Sequence, residues 1–88
     1  MKIKKGFMKR KIGDKFLVVT TGELAKKRNM FIELNDTSSE IWDYIEKGYD
    51  ENKIASQLCK KYGIGEERAK KDVEGLIASM REAGVFEE

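Results

Sequence analysis

Few side chains in this chain are suited to covalent or acid–base chemistry. Cys59 is its single cysteine, and there is no histidine. A thiol without a basic partner has nothing to hold it as a thiolate. An intramolecular disulfide needs two cysteines and a structural Cys/His metal site needs four ligands, so both are excluded. Histidine acid–base catalysis is excluded as well. Cys59 falls on an apolar helical stripe, where a buried, inert thiol is the expectation. No catalytic residue, cofactor or metal ligand is assigned. The chain reads as a binding module rather than an enzyme.

Its charged groups are numerous but unevenly placed. The 88 residues carry 18 Lys/Arg and 16 Asp/Glu, a net charge of +2. Residues 1–28 hold ten basic side chains against Asp14 and Glu23, a net +8, and the remainder is −6. Such asymmetry points to an anionic partner for the first part. The alternative is that these lysines guard a sheet edge against pairing. At 88 residues one core and one domain, 1–88, are expected. Apolar residues make up 40%, too many for a disordered chain. No apolar run approaches the roughly 20 residues that span a bilayer, so no membrane partner is expected. MKIKKGFMKRKIGDK has no apolar h-region, so no secretory signal and a cytoplasmic location are expected.

The elements that must position any binding surface follow from pattern. Gly6–Arg10 reads as a short strand and Gly13-Asp14 as a turn. Phe16–Thr21 is a β-branched second strand. A loop runs from Gly22 through Asn29. Met30–Leu34 alternates as a third strand, with Met30, Ile32 and Leu34 on one face and Phe31 and Glu33 on the other. Thr37-Ser38-Ser39-Glu40 has the spacing of a capping box opening a first helix, with Ile41, Trp42 and Ile45 as its stripe, ending at Gly48. Asp50 caps a second helix, whose stripe is Ile54, Ala55, Leu58, Cys59 and Tyr62; Gly63 stops it. Glu66 and Glu67 favour the start of a third helix. Its stripe is Ala69, Val73, Leu76, Ile77 and Met80. It ends at Gly84, before an apolar tail of Val85 and Phe86. Strands followed by helices argue for an α+β domain: a three-stranded antiparallel sheet with three helices on one face.

In a 1-2-3 sheet the outer strands are the first and third. The first is guarded by Lys4, Lys5, Lys9, Arg10 and Lys11. The third carries one charge, Glu33, among Met30, Phe31, Ile32 and Leu34. Such an edge is either covered by the chain's own helices or open to an extended peptide added as a further strand.

From Leu34-Asn35 onward the chain resembles the PqqD-like proteins, the RiPP recognition elements that bind precursor peptides of ribosomally made, post-translationally modified products. The resemblance rests on Leu34-Asn35, Thr37, Ile41-Trp42, Gly48, Ile54-Ala55-x-x-Leu58, Tyr62-Gly63, Asp72-Val73, Leu76-Ile77, Met80 and Gly84-Val85, in that order, over residues 34–85. The basic stretch Lys26-Lys27-Arg28 and the short first strand depart from it.

The resemblance implies a winged-helix-like fold without catalysis of its own. It implies that a leader peptide adds beside the third strand, in a groove against the third helix, and is presented to a modifying enzyme such as a radical SAM enzyme. On that basis the backbone of Met30, Phe31, Ile32, Glu33 and Leu34 contacts the peptide. Leu76 and Met80 form the apolar wall, or else plain core. Gly75 and Ser79 leave room, and Arg68 and Lys71 meet acidic leader residues. The rival reading is a winged-helix DNA-binding protein using the second and third helices. Against it stand Glu66, Glu67, Asp72, Glu74 and Glu82 on the would-be recognition helix. An apolar third-strand edge leaves a homodimer open, and an outward Phe31, if exposed, is available to the modifying enzyme or to another copy of the chain.

Overall fold

A tight hairpin starts the fold. The computed structural model describes residues 1–87. Strand β1 (Phe7–Ile12) turns through Gly13-Asp14 into β2 (Lys15–Thr20), pairing Ile12 with Lys15 and Phe7 with Thr20. Gly13 takes φ +65°, which a two-residue hairpin asks of a glycine in its first turn position. Helix α1 (Gly22–Lys27) follows, then β3 (Phe31–Leu34), which pairs antiparallel with β2. The sheet order is β1-β2-β3. Helices α2 (Asp36–Glu46), α3 (Glu51–Tyr62) and α4 (Glu66–Glu82) complete the chain.

Three sequence expectations are corrected here. The segment from Gly22 is a one-and-a-half-turn helix, not a loop, so the helices number four. Glu23 stands in its first turn and Lys26 and Lys27 in its last, which suits the helix dipole. Leu24 packs where a Cβ on Gly6 would stand, within 2.9 Å, so tertiary contact holds a helix too short to be stable alone. Second, Thr37 does not cap α2. Asn35 does, its Oδ1 accepting from the Ser38 amide at 2.8 Å, because the helix opens one residue before Thr37. Third, Lys9 does not guard the free edge. Its ammonium reaches Asp43 at 2.7 Å and the Ser39 hydroxyl at 2.7 Å, tying β1 to α2.

The core lies between one sheet face and α2, α3 and α4. Val18 and Leu34 come from the sheet, and Ile41, Trp42 and Ile45 from α2. Ile54, Ala55 and Leu58 come from α3, and Ala69, Val73, Leu76, Ile77 and Met80 from α4. These are the stripes expected from the i, i+3/i+4 recurrence. Two stripe positions differ: Cys59 is only half-buried and Tyr62 is exposed. Asp50 and Gly63 bound α3 as expected, Asp50 accepting from Lys53 and Gly63 adopting φ +64°. Val85 and Phe86 fold back into the core. There Ile3 forms a β-bridge with Phe86, flanked by bonds from Lys4 N–H to the Val85 carbonyl and Glu87 N–H to the Lys2 carbonyl, both 2.8 Å.

Candidate functional site

The alternation of β3 decides which groups it offers. Leu34 is buried and Ile32 half-buried on the helix side, while Phe31 and Glu33 are exposed on the far side. Met30 precedes the strand; its amide donates to the Thr20 hydroxyl at 3.4 Å. β3 pairs with β2 on one side only, and among the described residues no strand adjoins its other side. Alternate backbone N–H and C=O groups therefore lack a ladder partner along this edge.

Helix α2 packs against β3, and α4 is tied to the Met30 end of that strand through Arg28. Lys70, Val73 and Glu74 line a cleft against Glu51 and Asn52 of α3. The opposite flank therefore turns away from α3. Steps of four, three and four residues put Arg68, Asp72, Gly75 and Ser79 in one row there, beside Leu76. All four are exposed. A Cβ built on Gly75 would meet nothing within 4 Å, so the row is open at its middle. Leu76 is 9% exposed and sits at the margin of the core. Met80 is 1% exposed and is plain core, which corrects the expectation that it walls the groove. It lies one further step round the helix, toward Ile77 and Val73. Lys71 lies on the solvent side of the row, at its rim. Among the described residues neither Arg68 nor Lys71 makes an ion pair.

Arg28, which the sequence offers only as part of a basic stretch, joins the start of β3 to the end of α4. Its guanidinium donates to the Ala83 carbonyl at the C-terminus of α4 and lies 3.2 Å from the Met30 sulfur. A Cβ on Gly84 would stand 2.8 Å from it. A cation on the last carbonyls of a helix is favoured by both hydrogen bonding and the dipole. The contact joins residues 55 apart, which no local pattern signals. Asp72, four residues after Arg68, stands in the same row.

A second polar cluster braces α2 against α3. Glu40 Oε1 accepts from Lys61 at 2.5 Å and from the Tyr62 hydroxyl at 2.6 Å. Burial works to raise the Glu40 pKa. The hydrogen bonds from Lys61 and Tyr62 and the charges of Lys61 and Lys9 outweigh it, leaving the carboxyl below its ordinary 4.5. The bond to Glu40 raises Lys61 above its ordinary value, and likewise Tyr62. Lys61 is thus engaged internally and is not a free phosphate-binding cation. Among the described residues no group of three or more His, Cys, Asp or Glu side chains is arranged to hold a metal ion. Nor, among them, is any helix long and apolar enough to cross a membrane.

Comparison with known proteins follows the same lines. The family described as coenzyme PQQ synthesis protein D (PqqD) matches residues 24–85. The fold is similar to that of TbiB1 in complex with the TbiA(beta) leader peptide, with a TM-score of 0.80 at 20% identity, over 99% of this chain and 95% of that one. It is also similar to lasso peptide synthetase B1 complexed with the leader peptide, with a TM-score of 0.79 at 19% identity, over 96% of this chain and 93% of that one. No curated protein matches the chain. At these identities the likeness to the solved structures is one of fold.

Proposed function

The chain belongs to the PqqD family, and from that premise we propose that it binds the leader region of a ribosomally synthesised precursor peptide and presents it to a modifying enzyme. The leader adds as a fourth strand along β3, in the groove between that strand and the Arg68–Ser79 row of α4. The observation that carries this reading is the unpartnered β3 edge, whose Met30 end Arg28 links to the C-terminus of α4; the open space at Gly75 on α4 supports it. The two solved proteins of the same fold are each complexed with a leader peptide, which supports it.

Magnitudes say what the groove must add. Each ladder hydrogen bond contributes about 0.5–1.5 kcal/mol net. Ordering each peptide residue costs about 1–2 kcal/mol of backbone entropy. About four such bonds along a four-residue strand give about 2–6 kcal/mol against about 4–8 kcal/mol of ordering, so the ladder alone falls short, and apolar contacts with Ile32, Leu34 and Leu76 decide affinity and sequence preference. Arg68 and Lys71 attract acidic leader residues from the rim. The domain contributes recognition and no chemistry of its own. The modifying enzyme it serves is of the radical SAM or another peptide-modifying class.

Calorimetric titration with the leader of the precursor encoded nearest this chain's gene tests the reading. The parent leader binds, and a leader N-methylated at alternate residues, unable to donate to the ladder, binds at least about tenfold more weakly. Equal affinity for both peptides would refute strand addition.

A further inference from the structure

The sheet has a second face, turned away from the helices. Register sets Met8, Val19 and Phe31 directly opposite one another across all three strands. Arg10, Leu17 and Glu33 form the next row, and Ile12 faces Lys15 at the hairpin end. Met8 is 46% exposed, Ile12 56% and Phe31 69%. Apolar side chains in register over three strands, with Met8, Ile12 and Phe31 left exposed, mark an interaction surface rather than scattered surface residues. Its one acidic strand residue, Glu33, is held by Lys15 at 3.4 Å. Among the described residues Arg10 makes no ion pair, and Lys4 and Lys5 lead into this face in a segment of net +8.

We propose that this outer face docks the modifying enzyme, through an apolar patch on that enzyme ringed by carboxylates, and that the bound leader completes the docking surface. The inference rests on the peptide-recognition reading above. Two arguments choose this occupant over a second copy of the chain. A copy would bring one basic segment against another, whereas an acidic rim is complementary. Area is the second argument. Two strands of six residues rise about 20 Å and the third, of four, about 14 Å, at about 4.8 Å between strands, so the face offers about 250 Å². Stable interfaces need about 800 Å² per partner. The face alone is too small. A leader strand beside Phe31 widens it and adds its own outward side chains. The enzyme then reads recognition domain and substrate together and discriminates against the unloaded domain.

The test measures binding of the purified peptide-modifying enzyme encoded beside this chain's gene, with and without leader. It uses the parent chain, Met8→Ser/Ile12→Ser and Arg10→Glu. These positions lie on β1, two strands from the peptide edge, and are exposed, so the leader affinity serves as the folding control. The proposal expects leader to tighten enzyme binding to the parent at least about tenfold. It expects both variants to lose at least about tenfold in enzyme affinity, with leader affinity within about twofold. The Arg10→Glu loss shrinks as salt rises. Unchanged enzyme binding in both variants would overturn it. So would a parent dimer in sedimentation that Met8→Ser/Ile12→Ser dissociates while enzyme binding stays unchanged, which would assign the face to self-association. If the parent fails to bind leader at all, the peptide reading falls and leader cannot complete the surface. Enzyme binding by the three chains then still decides the docking face alone.

Discussion

Gly75 joins fold and function with opposite signs. A glycine in a helix interior costs about 1 kcal/mol relative to alanine. Gly75 sits ten residues into α4, away from both caps, at no left-handed φ. A Cβ there meets nothing within 4 Å, so Gly75→Ala introduces no clash. It is expected to stabilise the domain by about 0.5–1 kcal/mol, partly through the unfolded chain. At about 2 cal/mol/K of unfolding entropy per residue, this raises Tm by about 3–6 °C. The groove responds the other way. A methyl pushed into a close-packed contact costs about 1–3 kcal/mol, and each 1.4 kcal/mol is tenfold in Kd. Gly75→Ala therefore weakens leader binding about tenfold while raising Tm, and Gly75→Leu weakens it about 100-fold or more. Glu74→Leu, on the flank facing α3, leaves Kd unchanged. Calorimetric melting and leader titration on the same samples read both effects. Leader binding as tight in Gly75→Leu as in the parent would refute the α4 groove. A lower Tm for Gly75→Ala would refute the open space above it.

Three further outcomes follow from the geometry. Successive strand residues point their N–H groups to opposite sides, so of Phe31→Pro and Ile32→Pro one loses a bond to β2 and melts lower. The other keeps its circular dichroism and loses leader affinity; two folded variants that both bind normally would contradict the edge model. Lys9→Met removes charge-assisted bonds to Asp43 and Ser39 from a side chain only 17% exposed. It should cost about 1–2 kcal/mol in urea melts, and no loss would mean that the tie between β1 and α2 is idle. Glu40 has a folded pKa below its ordinary 4.5, so its contribution is present above that value and fades as pH falls through the folded pKa. Lys61 is raised, so its contribution holds below its ordinary 10.5 and fades at higher pH. Glu40→Gln should flatten the acid limb below about pH 4.5 in a stability–pH curve; an unchanged acid limb would remove Glu40 from the account.

What was legible in the chain was whatever depends on near neighbours. Asp50 and Gly63 bound α3 because a side-chain acceptor and a left-handed residue act within one turn. Ile32 and Leu34 face the helices because strand side chains alternate. The α4 row of Arg68, Gly75 and Ser79 follows from helical spacing alone. What was hidden depends on distant partners. The helix at Gly22–Lys27 needs Leu24 against Gly6. Lys9 looked like an edge guard until α2 presented Asp43 and Ser39. Arg28 reads as one more basic residue until the chain brings Ala83 to it. Asn35 and Thr37 are both good caps two positions apart, and helix packing chose the first. Met80 could be wall or core from periodicity, and its 1% exposure makes it core.

Leader addition to β3 is tested most directly by amide hydrogen exchange of the ¹⁵N-labelled chain with and without leader peptide, with a mixed DNA duplex in parallel. Leader should protect outward-pointing amides within residues 31–34 and shift the α4 resonances from Arg68 to Ser79, leaving β1 amides unprotected, and DNA should change neither. Saturating leader without new protection in β3, or protection and shifts confined to Lys60–Lys71 with DNA, would contradict strand addition.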